Sequence, residues 1–174
     1  MRVVASELVV AAVWVAIGWG AWRLRPIDAS WGLVLPAWVR VPGAVGLVAG
    51  AAGVLVCGGM LSDRGIGSLP AGERFMPREF VSAGPFRFVR NPMSLAAVVL
   101  IVGIALWDRS AVVLALAGLF AAGLHLVIVC VEEPGLERRF GDSYRAYKRH
   151  VPRWVPRLRP WNGAVAPPSP SAPI

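Results

Sequence analysis

The sequence predicts an all-α polytopic membrane protein with about four transmembrane helices and a C-terminal interfacial amphipathic helix. Three observations lead there. Of its 174 residues, 56% are hydrophobic and 16% are charged, against roughly 25% charged in soluble domains. The apolar residues come in long blocks, and the mean hydropathy is +0.61. The basic residues, which give a net charge of +8, gather between the blocks in the asymmetric way that membrane topology imposes.

The first block, Val3 to Trp22, is broken mainly by Ser6 and Glu7. It exceeds the 7–15 apolar residues of a signal peptide, and Trp19, Trp22 and Arg23 stand where small cleavage-site residues would be needed, so an uncleaved helix is expected. Glu7 lies close enough to the helix start to reach the interface. Gly43 to Leu61 carries no charge, and Met93 to Trp107 is separated from Ala111 to Val131 only by Asp108, Arg109 and Ser110, which reads as a tight helical hairpin. A span needs about 20 apolar residues, which the first, second and fourth blocks reach or approach. The third covers only about 22 Å and would have to thin the bilayer, begin below its surface, or enter without crossing.

Orientation follows from the cations. Arg64, Arg74, Arg78, Arg87 and Arg90 lie between helices two and three; Arg138, Arg139, Arg145, Lys148, Arg149, Arg153, Arg157 and Arg159 follow helix four. Four spans put both groups, with Arg2, on one side and leave Arg23, Arg25, Arg40 and Arg109 on the other, so the richer side is expected to be cytoplasmic. Most of the eight tryptophans fall near span ends, as an aromatic belt does. The basic, aromatic-interleaved tail follows a membrane helix, which favours anionic headgroups over nucleic acid as its partner. Cys57 and Cys130 fall inside predicted spans without disulfide or metal spacing, and read as packing residues; no metal site is expected.

Gly43, Gly46, Gly50 and Gly53 line helix two, and Gly118 and Ala122 repeat the interval on helix four. Small residues let helices approach closely in lipid. Packing within the chain is the expectation, and a homo-oligomer through residues 43–61 is the alternative. The loop from Ser62 to Arg90 reads as irregular, long enough to fold over the membrane surface. From Pro134, residues Leu136, Phe140, Tyr144 and Tyr147 recur every three or four positions, opposite a basic face, as in an interfacial helix. Gly141 weakens its middle. Residues 1–161 form one membrane domain without an internal repeat, and the Pro-, Ala- and Ser-rich 162–174 a disordered tail.

Two polar clusters are neighbours if the hairpin forms: Arg87 to Pro92 entering helix three, and Glu132 with Glu133 leaving helix four. Carboxylates at a helix C-terminus oppose the macrodipole at about 0.3–1 kcal/mol each. They could pair with Arg87 and Arg90, or cap the helix near Pro134. Alternatively they hold a cationic ligand whose anionic end meets arginines and helix-start N–H groups. Inside helix four, His125 is expected to be a neutral ring bonded across helices, with a functional role as the alternative; His150 reads as solvated.

The segment "GPFRFVRNPMSL", followed after the hairpin by "EEPGLERRFGDSYRAYKRHVPRWVPR", resembles the isoprenylcysteine carboxyl methyltransferase family and, more loosely, is similar to the membrane phospholipid N-methyltransferases. Gly84, Pro85, Arg87, Arg90, Pro92, Glu132, Glu133, Phe140, Gly141, Tyr144, Tyr147, Val151, Pro152 and Arg153 stand where that pattern wants them. The family's hinge His is Asn91 here, which keeps a hydrogen-bonding group, and its following Tyr is Ser94. The resemblance implies S-adenosylmethionine bound by the half 84–157 at the cytoplasmic face. Its expected ligands are Arg87, Arg90, Asn91, Pro92, Ser94, Glu132, Glu133, Tyr144, Tyr147 and Arg153, with Glu132, Glu133 and Arg90 catalytic. Phe86, Phe88, Tyr144 or Trp154 could pack against the adenine. The acceptor it implies is a lipophilic, membrane-accessible carboxylate, amine, thiol or phenol. A non-catalytic scaffold of the same fold is one rival reading; a sterol-reductase-like NADPH enzyme is a weaker one, because the Glu-Glu pair and "RNPMSLAA" depart from that pattern.

Overall fold

A computed structural model describes residues 2–63 and 83–163, with side chains over 17–61 and 83–163. Most of the loop expected over the membrane surface (64–82), the tail from 164, and the side chains of Arg2 and Glu7 lie outside the described residues. What is described is all-helical, as the sequence predicts: α1 (Arg2–Trp31), α2 (Arg40–Asp63), α3 (Pro92–Asp108), α4 (Ala111–Val127) and α5 (Glu133–His150). Short 3₁₀ turns cover Ala37–Val39 and Gly84–Arg87, and a π-turn, Ile128–Glu132, joins α4 to α5. Two helical stretches, Ala37–Leu61 and Ala111–His150, are long and apolar enough to cross a membrane. At 17 residues, α3 is about 25 Å long. Val45, Val48 and Leu55 on α2 and Leu119 and Phe120 on α4 are exposed, more bare apolar surface than a water-soluble exterior presents.

The chain folds as two compact units, residues 1–69 with 93–123, and 70–92 with 124–174. In the first, the glycine stripe of α2 meets α3 backbone to backbone. A Cβ on Gly43 would lie 2.7 Å from Trp107 N, one on Gly46 3.1 Å from Gly103 Cα, and one on Gly50 2.5 Å from Leu100 N. The stripe thus packs within the chain, and nothing here calls for a second copy. Gly118 on α4 faces open space.

A polar knot ends the α3–α4 hairpin. Asp28, only 2% exposed, accepts the Val112 N–H at 3.0 Å and the Ser110 hydroxyl. Ser110 Oγ in turn accepts the Val113 N–H at 3.0 Å. Ser110 is thus the N-cap of α4, and the carboxylate sits where the helix dipole favours it. Arg109 adopts a left-handed conformation (φ 58°), fixed by its Nε donating to Leu35 O at 2.6 Å and its carbonyl accepting the Leu35 N–H at 2.9 Å. Arg25 pairs with Asp108. Cys57 is buried, as expected of a packing residue; Cys130 is exposed on the π-turn, which corrects that reading for the second cysteine.

In the second unit α5 grows directly out of the π-turn, so the helix near Pro134 has no free N-terminus for the glutamates to cap, and Glu132 makes no capping hydrogen bond. The periodic stripe is a core: Phe140, Tyr144, Tyr147 and Val151 are buried together, with Leu136 and Trp161 packed against them. Gly141 does more than weaken the helix. Its φ of 53° and ψ of −127° break it, in a region open to glycine and strained for any side chain.

Candidate active site

Three segments of the second unit converge: the hinge 84–91, the π-turn with the start of α5, and an extended strap, 151–161. The strap is stitched to the hinge by backbone. Arg90 N–H donates to Pro152 O at 2.9 Å, Arg157 N–H to Phe88 O at 2.9 Å, and Trp161 N–H to Arg87 O at 3.0 Å. Arg87 Nε donates to Trp161 O at 3.0 Å. From α5, Tyr147 donates its hydroxyl to Phe86 O at 2.6 Å. Tyr147→Phe is therefore expected to lower stability by about 1–2 kcal/mol, because a part-buried carbonyl loses a donor. A thermal melt checks this; an unchanged melt means that water replaces the hydroxyl.

At the centre lies a double-arginine clamp. Glu133, 4% exposed, accepts from Arg90 Nη1 at 2.7 Å, from Arg153 Nε at 2.7 Å and from Arg153 Nη2 at 2.8 Å, with Lys148 Nζ 3.9 Å away. Burial alone would favour the neutral acid. The Arg153 hydrogen bonds and the charges of Arg90, Arg153 and Lys148 outweigh it, so the Glu133 carboxyl sits below its usual 4.5. Burial, and next the Glu133 charge, push the Tyr144 phenol up to about 12.

The two glutamates part company here. Glu132 makes no hydrogen bond or ion pair among the described residues. Although the residue keeps solvent-exposed surface, its carboxyl is pushed above 4.5, first by lost hydration and then by the neighbouring Glu133. The expectation that Arg87 pairs with the glutamates is corrected: Arg87 holds the strap, and Arg153 takes the second place in the clamp. The glutamates therefore differ in burial, in partners and in the direction in which their carboxyls are shifted, and the π-turn leads from α4 into this pair. Such turns gather at functional sites, and hydrophobic spacing gives no sign of one.

Three buried donors have no acceptor among the described residues: Arg90 Nε, Asn91 Nδ2 and Arg157 Nη1. They sit on the hinge and on the strap that covers it. Beside the clamp an open groove of about 360 Å³ has an apolar part from Val129 and Pro134, carboxylates from Glu133 and Glu137, and cations from Arg138, Arg145, Lys148 and Arg153. That volume is near the lower end of small-molecule sites, roughly 300–1,000 Å³. Trp154 Nε1 donates to His125 Nδ1 at 3.0 Å. Since an indole can only donate, His125 accepts on Nδ1, so its partner is a strap residue rather than another membrane helix.

Residues 41–143, more than half of the chain, match the phospholipid methyltransferase family. The chain belongs to that family. Methyl transfer to lipid-type acceptors is the family's chemistry. The match covers the hinge, both glutamates and the Gly141 break, and stops before the strap. Comparison with curated proteins and with solved structures gave no match.

Of the residues singled out from the methyltransferase sequence, Arg90, Glu133, Tyr144 and Arg153 meet around the clamp, with Asn91 next to it on the hinge. Pro92 opens α3, and Ser94 falls in the first turn of that helix. The sequence reading passed over Arg157 as a site residue and Trp161 as more than a belt residue. A short repeat could have flagged the strap: residues 151–158 read Val-Pro-Arg-Trp-Val-Pro-Arg-Leu.

Proposed function

We propose that this methyltransferase uses S-adenosylmethionine, and that its acceptor is a lipophilic carboxylate, amine, thiol or phenol reached from the bilayer. The observation that carries the proposal is the trio of buried donors without acceptors among the described residues, Arg90 Nε, Asn91 Nδ2 and Arg157 Nη1. Each costs about 1–3 kcal/mol while unpaired, and the carboxylate, ribose and adenine of the cofactor offer the acceptors they lack. Glu132, which pairs with no cation among the described residues, suits the ammonium and the sulfonium. The residues therefore fit the group.

When bound, the cofactor supplies a methyl group on a positively charged sulfur, already activated for displacement. In this reading Arg90, Asn91 and Arg157 bind its acceptor atoms. Glu132 faces its positive end and takes the proton if the nucleophile arrives protonated. Glu133 is a positioning residue that fixes Arg90 and Arg153, and hence the hinge against the strap. Tyr144 stays a neutral phenol at neutral pH and packs as a wall. Most of the acceleration comes from alignment of nucleophile, methyl carbon and sulfur. The distribution of basic residues supports four spans, with this site and the strap on the cytoplasmic side.

Titration calorimetry of detergent-purified protein with S-adenosylmethionine tests the reading. Micromolar binding is expected, weakened roughly tenfold in Asn91→Ala and in Glu132→Gln, about one charge-assisted hydrogen bond each. Glu132→Gln should leave the melting temperature nearly unchanged, and Asn91→Ala should not lower it, because it removes an unpaired buried donor. No binding by folded wild-type protein would overturn the proposal.

A further inference from the structure

The two halves of the strap repeat are turned in opposite directions. In the first copy Val151 is 1% exposed, and Trp154 is bonded to His125. In the second, Val155 is 73% exposed and Leu158 is 99% exposed. These are not frayed ends, because the Arg157 and Trp161 N–H groups are bonded to the hinge carbonyls of Phe88 and Arg87. A pinned backbone thus holds two bare aliphatic side chains outward, with exposed Arg159 beside them. Water is a poor environment for that arrangement, and a protein surface would need its own anions to meet the arginine. A bilayer rich in anionic lipid meets both demands at once, with apolar depth below and phosphates above.

We propose that residues 155–159 are a docking surface for anionic phospholipid, with Val155 and Leu158 inserted at the headgroup–acyl boundary and Arg159 on the phosphates. The proposal stands apart from the cofactor reading, since it concerns a different surface and is read without turnover. The same strap carries Arg153 and closes over the hinge, so a lipid held here bears directly on the clamp.

The test uses the full chain in nanodiscs, with exposed Cys130 replaced by serine and a bimane label on Leu158→Cys. Brominated phosphatidylglycerol should quench the label well beyond brominated phosphatidylcholine at equal bromine content. Arg159→Gln should reduce that preference roughly fivefold, the share of one arginine at an anionic surface. A label quenched by neither lipid places the segment in water or under protein, and overturns the proposal. Equal quenching by both lipids overturns it too, because the arginine then chooses nothing.

Discussion

Glu133→Gln is expected to destabilise the protein by about 3–5 kcal/mol, because removing one partner of a buried charge cluster strands the others. Arg90 and Arg153 would face each other across a neutral amide, and their side chains are only 11% and 25% exposed. In a thermal melt this is a fall of roughly 10 °C or more for a chain of this length. Acid gives the same result by another route. The Glu133 carboxyl is held below its usual 4.5 in the folded state, so its contribution is complete above pH 4.5 and is lost as pH falls through the lower, folded-state value. The gap in melting temperature between wild type and Glu133→Gln should therefore be widest at neutral pH and shrink below pH 4.5. A gap that stays constant with pH would mean that the amide fails for reasons of shape rather than charge.

The second large effect is expected where α2 meets α3. Gly50→Ala puts a methyl group 2.5–2.7 Å from the backbone N, Cα and Cβ of Leu100. No side-chain rotation relieves such a contact, so α2 and α3 must separate, at a cost of about 1–3 kcal/mol. Gly118→Ala is the matched control, since a Cβ there meets nothing within 4 Å, and alanine favours helix. Detergent melts of the two variants should therefore move in opposite directions or differ clearly. Equal destabilisation would show that α4 also presents a crowded face.

Much of this was legible in the sequence, and the rest was hidden for physical reasons. Apolar blocks report helices because spans must be long and dry, so the all-helical fold and the packing of the α2 glycines within the chain could be read directly; that their partner is α3 could not, because small-residue spacing names a face and not what meets it. The approach of Arg90 to Glu133 followed from hairpin connectivity alone. The choice among cations did not: Arg87 and Arg153 have equal charge, and only the strap's path decides which one reaches the carboxylate. The π-turn also escaped, because a helical period of 3.6 residues describes α4 and α5 equally well and gives no sign of an extra residue between them. Asp28 went unnoticed, since a lone acid in the last turns of α1 looks like an interface residue until Ser110 and Val112 close on it. The stripe from Leu136 to Tyr147 was visible as a stripe. Its cover was not, because Val151 and Trp161 lie beyond the helix, and periodicity says nothing about what packs on a face.

The strap also sets an order of events during synthesis. Arg87 is made 74 residues before Trp161, to which it is bonded, and Phe86 is made 61 residues before Tyr147. The hinge therefore leaves the ribosome without its partners, and all five helices are made before the clamp can close. A nascent chain halted short of Pro152 carries α1 through α5 but lacks Arg153, Arg157 and the three backbone bonds that tie the hinge to the strap. Such a product has its helices but not the strap, so this fold completes its hinge in one late step rather than by degrees.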